Sequence, residues 1–372
     1  MAGAVDRVVV RRQDRPKCPP THLSWLGGER RGGGATLPGV SALKVLFIGG
    51  TGVISSACTR LAVQQGIELH VLNRGQTSVR PLPSEARILR ADVRAPASIQ
   101  EALGKQEFDV VVDWVAFQPE HVRTDLEVFR GRTGQYVFIS SASAYQTPPA
   151  RLPIVESTPL RNPFWQYSRD KIACEDLLMA AYRDEEFPVT IVRPPHTYDR
   201  TLVPLHGGWT VVQRMRAGKE IVVQGDGTSL WTLTHHEDFA RGFVPLLGSA
   251  RTAGEAFHIT SEDVLTWNQI AGVLAAAAGV EARIVHVPSE VIAAADPQWG
   301  AELLGDSAHS MVFDNSKVRR VVPGYVASVP FERGAREIIA WHDQDPVRQQ
   351  TDPALDAALD RLVKARRLGW EG

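Results

Sequence analysis

The chain has 372 residues, enough for one large α/β domain with an appended lobe, or for two domains. Hydrophobic residues make up 44% and charged residues 22%, and the net charge is −1, so no global field draws the protein to nucleic acid or to an anionic membrane. No apolar run approaches the roughly 20 residues that span a bilayer, and three widely spaced cysteines (Cys18, Cys58, Cys174) argue against a disulfide frame or a zinc site and for a reducing, cytoplasmic setting.

Residues 1–43 carry seven basic and three acidic side chains, with the breakers Pro19-Pro20, Gly27-Gly28 and Gly32-Gly33-Gly34. They read as a disordered basic extension outside the folded unit, or as residues ahead of the true start. An Arg-rich transit peptide is the alternative; the apolar core of a secretory signal is absent.

Lys44 to Gly75 is the most informative stretch. Val45-Leu46-Phe47-Ile48 suits a buried parallel strand. Gly49, Gly50 and Gly52 follow at once, then a helix from about Ile54 to Gln65, then a second strand over 68–72. This order sets backbone N–H groups and a helix N-terminus where a pyrophosphate can sit. Further strands are expected at Ala86–Leu89, Val110–Asp113, Tyr136–Ser140 and Val189–Val192, and helices at Ile99–Gly104, Glu120–Phe129 and Ser168–Arg183. Such alternation predicts an α/β fold with a doubly wound parallel sheet over 44–194. Cys58 and Cys174 fall on predicted helices and read as small buried hydrophobes.

After Pro194 the character changes. His196 to Gly208 reads as a Pro-, Gly- and His-rich loop. A helix (Trp209–Ala217), a strand (Glu220–Val223), a GDGT turn (Gly225–Thr228) and a helix from Asp238 follow. Residues 195–345 read as a mixed substrate lobe interleaved with the main sheet, and 346–372 as a charged helical tail, surface-packed or frayed.

Two clusters carry chemistry. Ser140-Ser141-Ala142-Ser143 ends a predicted strand, at the sheet end that faces the ligand crevice. Tyr167 and Lys171, four apart, share one face of a predicted helix. An ammonium near a phenol favours phenolate and lowers the Tyr pKa, which makes a base near neutrality. A serine hydroxyl beside it can hold the substrate oxygen. Such a set removes a proton from an alcohol while a nicotinamide takes the hydride.

With these residues in order after a dinucleotide turn, the chain resembles an extended short-chain dehydrogenase/reductase of the NAD-dependent epimerase/dehydratase family, over about Lys44 to Arg336. The resemblance implies a Rossmann-like sheet with a smaller C-terminal substrate-binding lobe. It implies cofactor contacts from Gly49, Gly50, Thr51, Gly52, Val53 and Ile54 in the nucleotide turn. Asp92 and Val93 after the third strand resemble the adenine contacts, and Val115 and Ala116 after the fourth line the cofactor. Ser140, Tyr167, Lys171 and Pro194 complete that set. Ser141, Tyr167 and Lys171 match the family's catalytic residues, and Ser143, His196 and Trp231 are candidate substrate contacts. Gly225-Asp226-Gly227-Thr228 with Asp238, and Asp314-Asn315-Ser316-Lys317, match late patterns of the family. Homodimers are usual for it.

The departures from the family pattern are informative. Ser55 stands for the third glycine. The second strand ends in Asn73-Arg74 where an acid would select NAD; Asn with Arg can accept a 2′-phosphate, which leans the choice between NAD and NADP toward NADP. Trp231 stands where sugar-nucleotide epimerases resemble one another in having an Arg on the substrate diphosphate, and a neutral indole is no phosphate clamp; Arg200, Arg214 or Arg216 are the possible replacements. Trp114 and Phe117 suggest an aromatic pocket wall, and His206 and Trp209 are further candidate substrate contacts. His196 is a candidate second acid/base. No acid follows Ser141, which argues against 4,6-dehydration. His235-His236-Glu237-Asp238 lacks the spacing of helical zinc motifs, and Asp238 reads as a helix cap.

The resulting expectation is an NAD(P)-dependent oxidoreductase or epimerase acting on a hydroxyl of a sugar-like or nucleotide-sugar small molecule. A ketone reductase using NADPH is the alternative, and epimerase and reductase remain open. An RNA-binding role, as in the chloroplast stem-loop RNA-binding proteins that the chain also resembles in its Asn-Arg-Gly and GDGT regions, and a redox-sensing role are disfavoured by the intact Ser141, Tyr167 and Lys171 set. Near-neutral charge further disfavours nucleic acid as a partner.

Overall fold

Alternation of short apolar strands with helices builds the molecule from Lys44 onward. The structure, a computed structural model, describes residues 42–75 and 79–368, so the expected basic extension lies, but for its last two residues, outside the described residues. In chain order the first half runs β1 (Lys44–Ile48), α1 (Val53–Gln64), β2 (Glu68–Asn73), β3 (Arg87–Arg90), α2 (Pro96–Leu103), β4 (Phe108–Asp113), α3 (Pro119–Phe129), β5 (Thr133–Ile139), α4 (Gln166–Glu185) and β6 (Val189–Val192). The expected elements of this half are all present, with ends shifted by a few residues.

The second half holds β7 (His196–Tyr198), α5 (Trp209–Arg216), β8 (Ile221–Gln224), β9 (Leu230–Trp231), β10 (Leu233–His235), α6 (His236–Phe243), β11 (Glu255–Phe257), β12 (Leu265–Thr266), α7 (Trp267–Ala277), β13 (Ile284–Val287), α8 (Ser289–Ala295), α9 (Pro297–Glu302), α10 (Ser316–Val321), α11 (Phe331–Asp343) and α12 (Pro353–Leu368). A π-helical turn, Leu303–Ser307, continues α9.

The main sheet has seven parallel strands in the order β11-β6-β5-β4-β1-β2-β3. Strand order reverses between β1 and β4, so the crevice for a ligand opens at the C-terminal ends of those strands. β1 and β4 are buried on both faces, which is why they read as unbroken apolar runs. One apolar layer, including Phe47, Cys58 and Phe243, covers one face of the sheet; another, including Leu46, Phe138 and Cys174, covers the other. Both helical cysteines are buried, as expected.

The second half does not stand apart from the sheet. β11 adds its edge strand, and α6 packs on α1. A third apolar layer, including Trp231, Trp267 and Phe331, forms the core of the remaining lobe. There the segment expected as loop after Pro195 starts with a strand: His196–Tyr198 pairs in parallel with Leu233–His235. α12 is docked rather than frayed, since Leu359, Leu362 and Val363 are buried. No helix among the described residues is long and apolar enough to cross a membrane.

Asp238 does not cap its own helix. Its carboxylate accepts the backbone N–H groups of Ser328 (3.0 Å) and Val329 (2.8 Å), so it pins the segment ahead of α11 instead; His235 is the N-cap of α6. Sequence distance hid this, because the partners lie 90 residues further on.

One ion pair ties α4 to the sheet. Glu175 accepts from Arg193 Nη2 at 2.6 Å and Nε at 2.9 Å, and Ser140 Oγ donates to it at 2.5 Å. Both partners are almost wholly buried. Removing one partner of a buried pair leaves an uncompensated charge. Glu175→Ala is therefore expected to lower stability by about 3–5 kcal/mol in urea titration; a loss under about 1 kcal/mol would mean that water reaches Arg193.

Candidate functional site

The nucleotide turn is shaped by glycine. Gly49 and Gly50 have φ of +101° and +113°, the region that favours glycine. A Cβ on Gly49 would lie 3.2 Å from both Trp114 Cβ and Val115 Cγ1, and one on Gly50 3.1 Å from Val71 Cγ1. Gly52 is the N-cap of α1, and Ser55 Oγ accepts its N–H at 2.8 Å. Ser55, buried in the place of the third glycine, thus completes a capping interaction as well as allowing close packing. Val53 and Ile54 form the first turn of α1.

A cleft of about 280 Å³ opens beside this turn, lined by Gly49, Thr51, Asn73, Arg74, Asp92, Val93 and Val115 among others. The expected cofactor residues from four separate loops therefore meet in one place. Asp113, at the end of β4, builds the far wall: its carboxylate accepts the N–H groups of Val115 (2.5 Å) and Ala116 (2.7 Å). Asn73 Oδ1 accepts the Gly75 N–H at 2.9 Å, an Asx turn that presents Arg74 to the cleft. Two arginines that sequence reasoning missed join it. Arg94 lines the cleft and donates to the Val115 carbonyl at 2.6 Å, and the Arg90 guanidinium lies against Gly75. A glycine cradle at a helix N-terminus, with a cationic rim at the end of β2, fits a dinucleotide.

A second cavity, of about 250 Å³, is lined by Ser141, Ser143, Tyr167, Pro194, His196 and Trp231, together with Trp165, Glu302, Asp306 and Phe313. Ser141, Tyr167 and the expected substrate contacts Ser143, His196 and Trp231 thus share one chamber. Hydroxyls chain across it. Ser168 Oγ donates to Ser143 Oγ at 2.8 Å, Ser143 and Ser141 hydroxyls meet at 2.9 Å, and Ser141 is in turn a partner of the Tyr167 phenol.

Lys171 bridges the two spaces. Its ammonium donates to the Ala116 and Ile139 carbonyls, each at 2.7 Å, and lies 4.8 Å from the Phe117 ring, which lines the cofactor cleft. The Tyr167 ring centroid is 5.8 Å away. Burial pushes Lys171 down to about 8. The expected lowering of the Tyr167 pKa by this lysine is not realised. Burial raises the phenol above its ordinary value, the Ser141 bond only partly offsets this, and Asp306 raises it further. Tyr167 is held protonated at neutral pH.

Other expectations are corrected by tertiary contacts. The Ser140 hydroxyl turns away from the cleft onto Glu175. His196 accepts the Trp231 indole N–H on Nδ1 at 3.2 Å, and burial pushes it down to about 4. It is therefore a neutral imidazole with its proton on Nε2, not a second acid/base through imidazolium. Trp114 is buried against Phe47 and Phe243, outside the chamber. His206 stacks on Trp299 and Trp209 on His342, so neither lines it. Arg214 is held by Asp356 and Asp360, Arg216 by Asp343, and Arg200 lines a different surface pocket; none supplies a phosphate clamp there. Among the described residues, His235, His236 and their neighbours form no group able to hold a metal. The Asp314-Asn315-Ser316-Lys317 turn opens α10, with Asp314 accepting the Ser316 N–H at 2.7 Å.

Glu302, Asp306 and Trp165 were not anticipated. Glu302 and Asp306 lie some 135 residues beyond Tyr167 in an unremarkable sequence, and no local pattern marks them as cavity residues.

The comparisons with known proteins agree with this geometry. The NAD dependent epimerase/dehydratase family model matches residues 45–260. The chain is 27% identical over 295 residues to the 2'-dehydrokanamycin reductase of Streptomyces kanamyceticus, covering 77% of this chain and 81% of the relative. It is 28% identical over 259 residues to a chloroplast stem-loop binding protein of 41 kDa from Arabidopsis thaliana, covering 66% of each. An epimerase structure from Methanothermobacter thermautotrophicus superposes with a TM-score of 0.68 at 17% identity, covering 83% of this chain and 94% of that one. With the family model matched across more than half of its length, and the sheet order and nucleotide turn described above, this chain belongs to the NAD dependent epimerase/dehydratase family.

Proposed function

We propose that the protein is an NADP-dependent reductase of a carbonyl on a sugar-like small molecule, with Tyr167 as the proton donor. The observation that carries this reading is the meeting of the Tyr167 phenol and Ser141 in one chamber, with the Lys171 ammonium between that chamber and the nucleotide cleft; burial, which keeps the phenol protonated, supports it. A general acid must hold its proton until the transition state, and a buried phenol does so at neutral pH. A bound nicotinamide dinucleotide supplies the hydride. Ser141 orients the carbonyl oxygen toward the phenol, and the Ser143–Ser168 hydroxyls hold Ser141 in place. Lys171 spends two of its three ammonium protons on the Ala116 and Ile139 carbonyls, and the third is left for a ribose hydroxyl. Its positive charge then stabilises the phenolate that Tyr167 becomes as it gives up its proton.

The reductase direction is favoured over epimerisation of a nucleotide sugar because no Arg or Lys lines the chamber to meet a diphosphate. Similarity to a reductase over most of both chains supports the same direction. NADP is favoured by Arg74 at the cleft, with Arg90 beside it. A nucleic-acid-binding role, suggested by one relative, has no counterpart in a chain of net charge −1.

Tyr167→Phe removes the proton donor alone. It is expected to slow NADPH oxidation on a ketosugar panel by about 10²–10⁴-fold while NADPH affinity, read by fluorescence, is kept; undiminished turnover would remove Tyr167 from the mechanism. Arg74→Ala is expected to weaken NADPH binding by about tenfold or more and NADH binding little, as a lost charged hydrogen bond would. Equal effects on the two cofactors would refute the 2′-phosphate role. Release of tightly held NAD⁺ on denaturation, read by mass spectrometry, would instead favour an epimerase that recycles its cofactor.

A further inference from the structure

Glu302 and Asp306 stand in the chamber wall with Ser141 and Tyr167. Asp306 belongs to the π-helical turn Leu303–Ser307, and that turn is firmly held. Asn162 Nδ2 donates to the Gly305 carbonyl at 2.6 Å, Trp267 Nε1 to the Ser307 carbonyl at 3.0 Å, and the Ala308 N–H to the Leu303 carbonyl at 2.8 Å. Gly305 has no room for a side chain, since a Cβ there would lie 2.7 Å from Trp165 Cβ. Single π turns inside helices are frequent at functional sites.

Asp306 is half-buried and Glu302 exposed, whereas the carboxylates buried elsewhere in the protein have partners. Asp113 takes two backbone amides, Asp125 the Tyr136 hydroxyl, Glu175 the Arg193 fork, Asp199 Arg80, and Asp238 two amides and Arg241. No described residue forms an ion pair or hydrogen bond with the carboxyl of Asp306 or Glu302. Burial pushes Asp306 up to about 8, with Glu302 adding to the shift, and raises Glu302 as well. The walls around them are Trp165, Tyr167, Trp231 and Phe313, the nearby His196 is neutral, and no Lys or Arg is present. Two carboxyls without a protein cation, in a chamber with aromatic walls, lack a counter-ion that a ligand can bring.

We propose that this chamber selects a substrate bearing at least one protonated amine, such as an amino sugar, with Asp306 and Glu302 as its counter-ions and the aromatic faces beside its ammonium. The assignment rests on the hydride-transfer reading of the same chamber. An ammonium there forms charge-assisted hydrogen bonds with both carboxylates and gains cation–π contact with Trp165 or Trp231. A nucleotide diphosphate meets no cation there and would bring further negative charge to the two carboxyls, so the pair discriminates in both directions. Because Asp306 is near enough to act on the Tyr167 phenol, an amine held by it belongs to the same part of the substrate as the reacting carbon.

The test is calorimetric titration of the full chain with NADPH present, using the free-amine disaccharide of glucosamine, its N-acetylated form and UDP-glucose. The free amine is expected to bind about tenfold or more tighter than the N-acetylated sugar, with UDP-glucose weakest. Asp306→Asn should bring the ratio between the two sugars toward one. Glu302→Gln, on the more exposed of the two sites, should reduce the same ratio and guards against a folding defect at Asp306. Equal affinity for the two sugars, no binding of the free amine, tighter binding of UDP-glucose, or an unchanged ratio in both variants overturns the assignment. Binding is read without turnover. A charge-dependent affinity with no NADPH oxidation on any amino-ketosugar would thus refute the reductase reading while leaving the amine site in place.

Discussion

The Glu175–Arg193 ion pair sets the geometry on which the site depends. Arg193 follows β6, Ser140 follows β5, and both bond the Glu175 carboxylate on α4. Tyr167, Lys171 and Glu175 are spaced four apart, so they share one helical face. Locking Glu175 onto the sheet fixes the rotation of α4, and with it the depth of Lys171 and the aim of Tyr167. The pair is costly to desolvate, and it persists because the Arg fork, the serine and the Glu156 carbonyl satisfy its polar atoms. Its main contribution is orientation rather than net stability.

Electrostatics inside the chamber follow from burial more than from the lysine. Desolvation keeps Tyr167 protonated and His196 neutral and draws Lys171 toward neutrality. A phenol that keeps its proton is an acid in waiting, which suits carbonyl reduction better than alcohol oxidation. The same desolvation acts on Asp306 and Glu302, for which the protein supplies no cation. The polarity of the site is thus incomplete until a ligand enters, and the missing charge is positive.

Local chemistry made much of this legible in the sequence. The β1–glycine turn–α1–β2 run, the parallel sheet, and the shared helical face of Tyr167 and Lys171 follow from strand and helix periods and from glycines that tolerate positive φ. Those features involve neighbours or fixed helical spacing, so the residues alone determined them. The clustering of Asn73, Arg74, Asp92 and Val115 at one cleft was legible for the same reason: in a parallel sheet, loops after successive strands open on the same edge.

Contacts made across long stretches of chain were decided only by tertiary structure. Trp114, read as a pocket wall, and Trp209, read as a substrate contact, are core residues because neighbours from distant helices cover them. Asp238 looked like a cap and instead holds a loop 90 residues away. The direction of the Tyr167 shift depends on how much surface surrounds the phenol, and spacing to Lys171 carries no such information. Asp306 reaches the chamber only because a π turn, pinned by Asn162 and Trp267, packs against Trp165 at the start of α4. What the sequence by itself determined was the scaffold and the glycine turn, since these rest on local geometry. Charge balance and the make-up of the chamber wall were decided by the folded chain, because burial and through-space pairing exist only once distant segments have packed together.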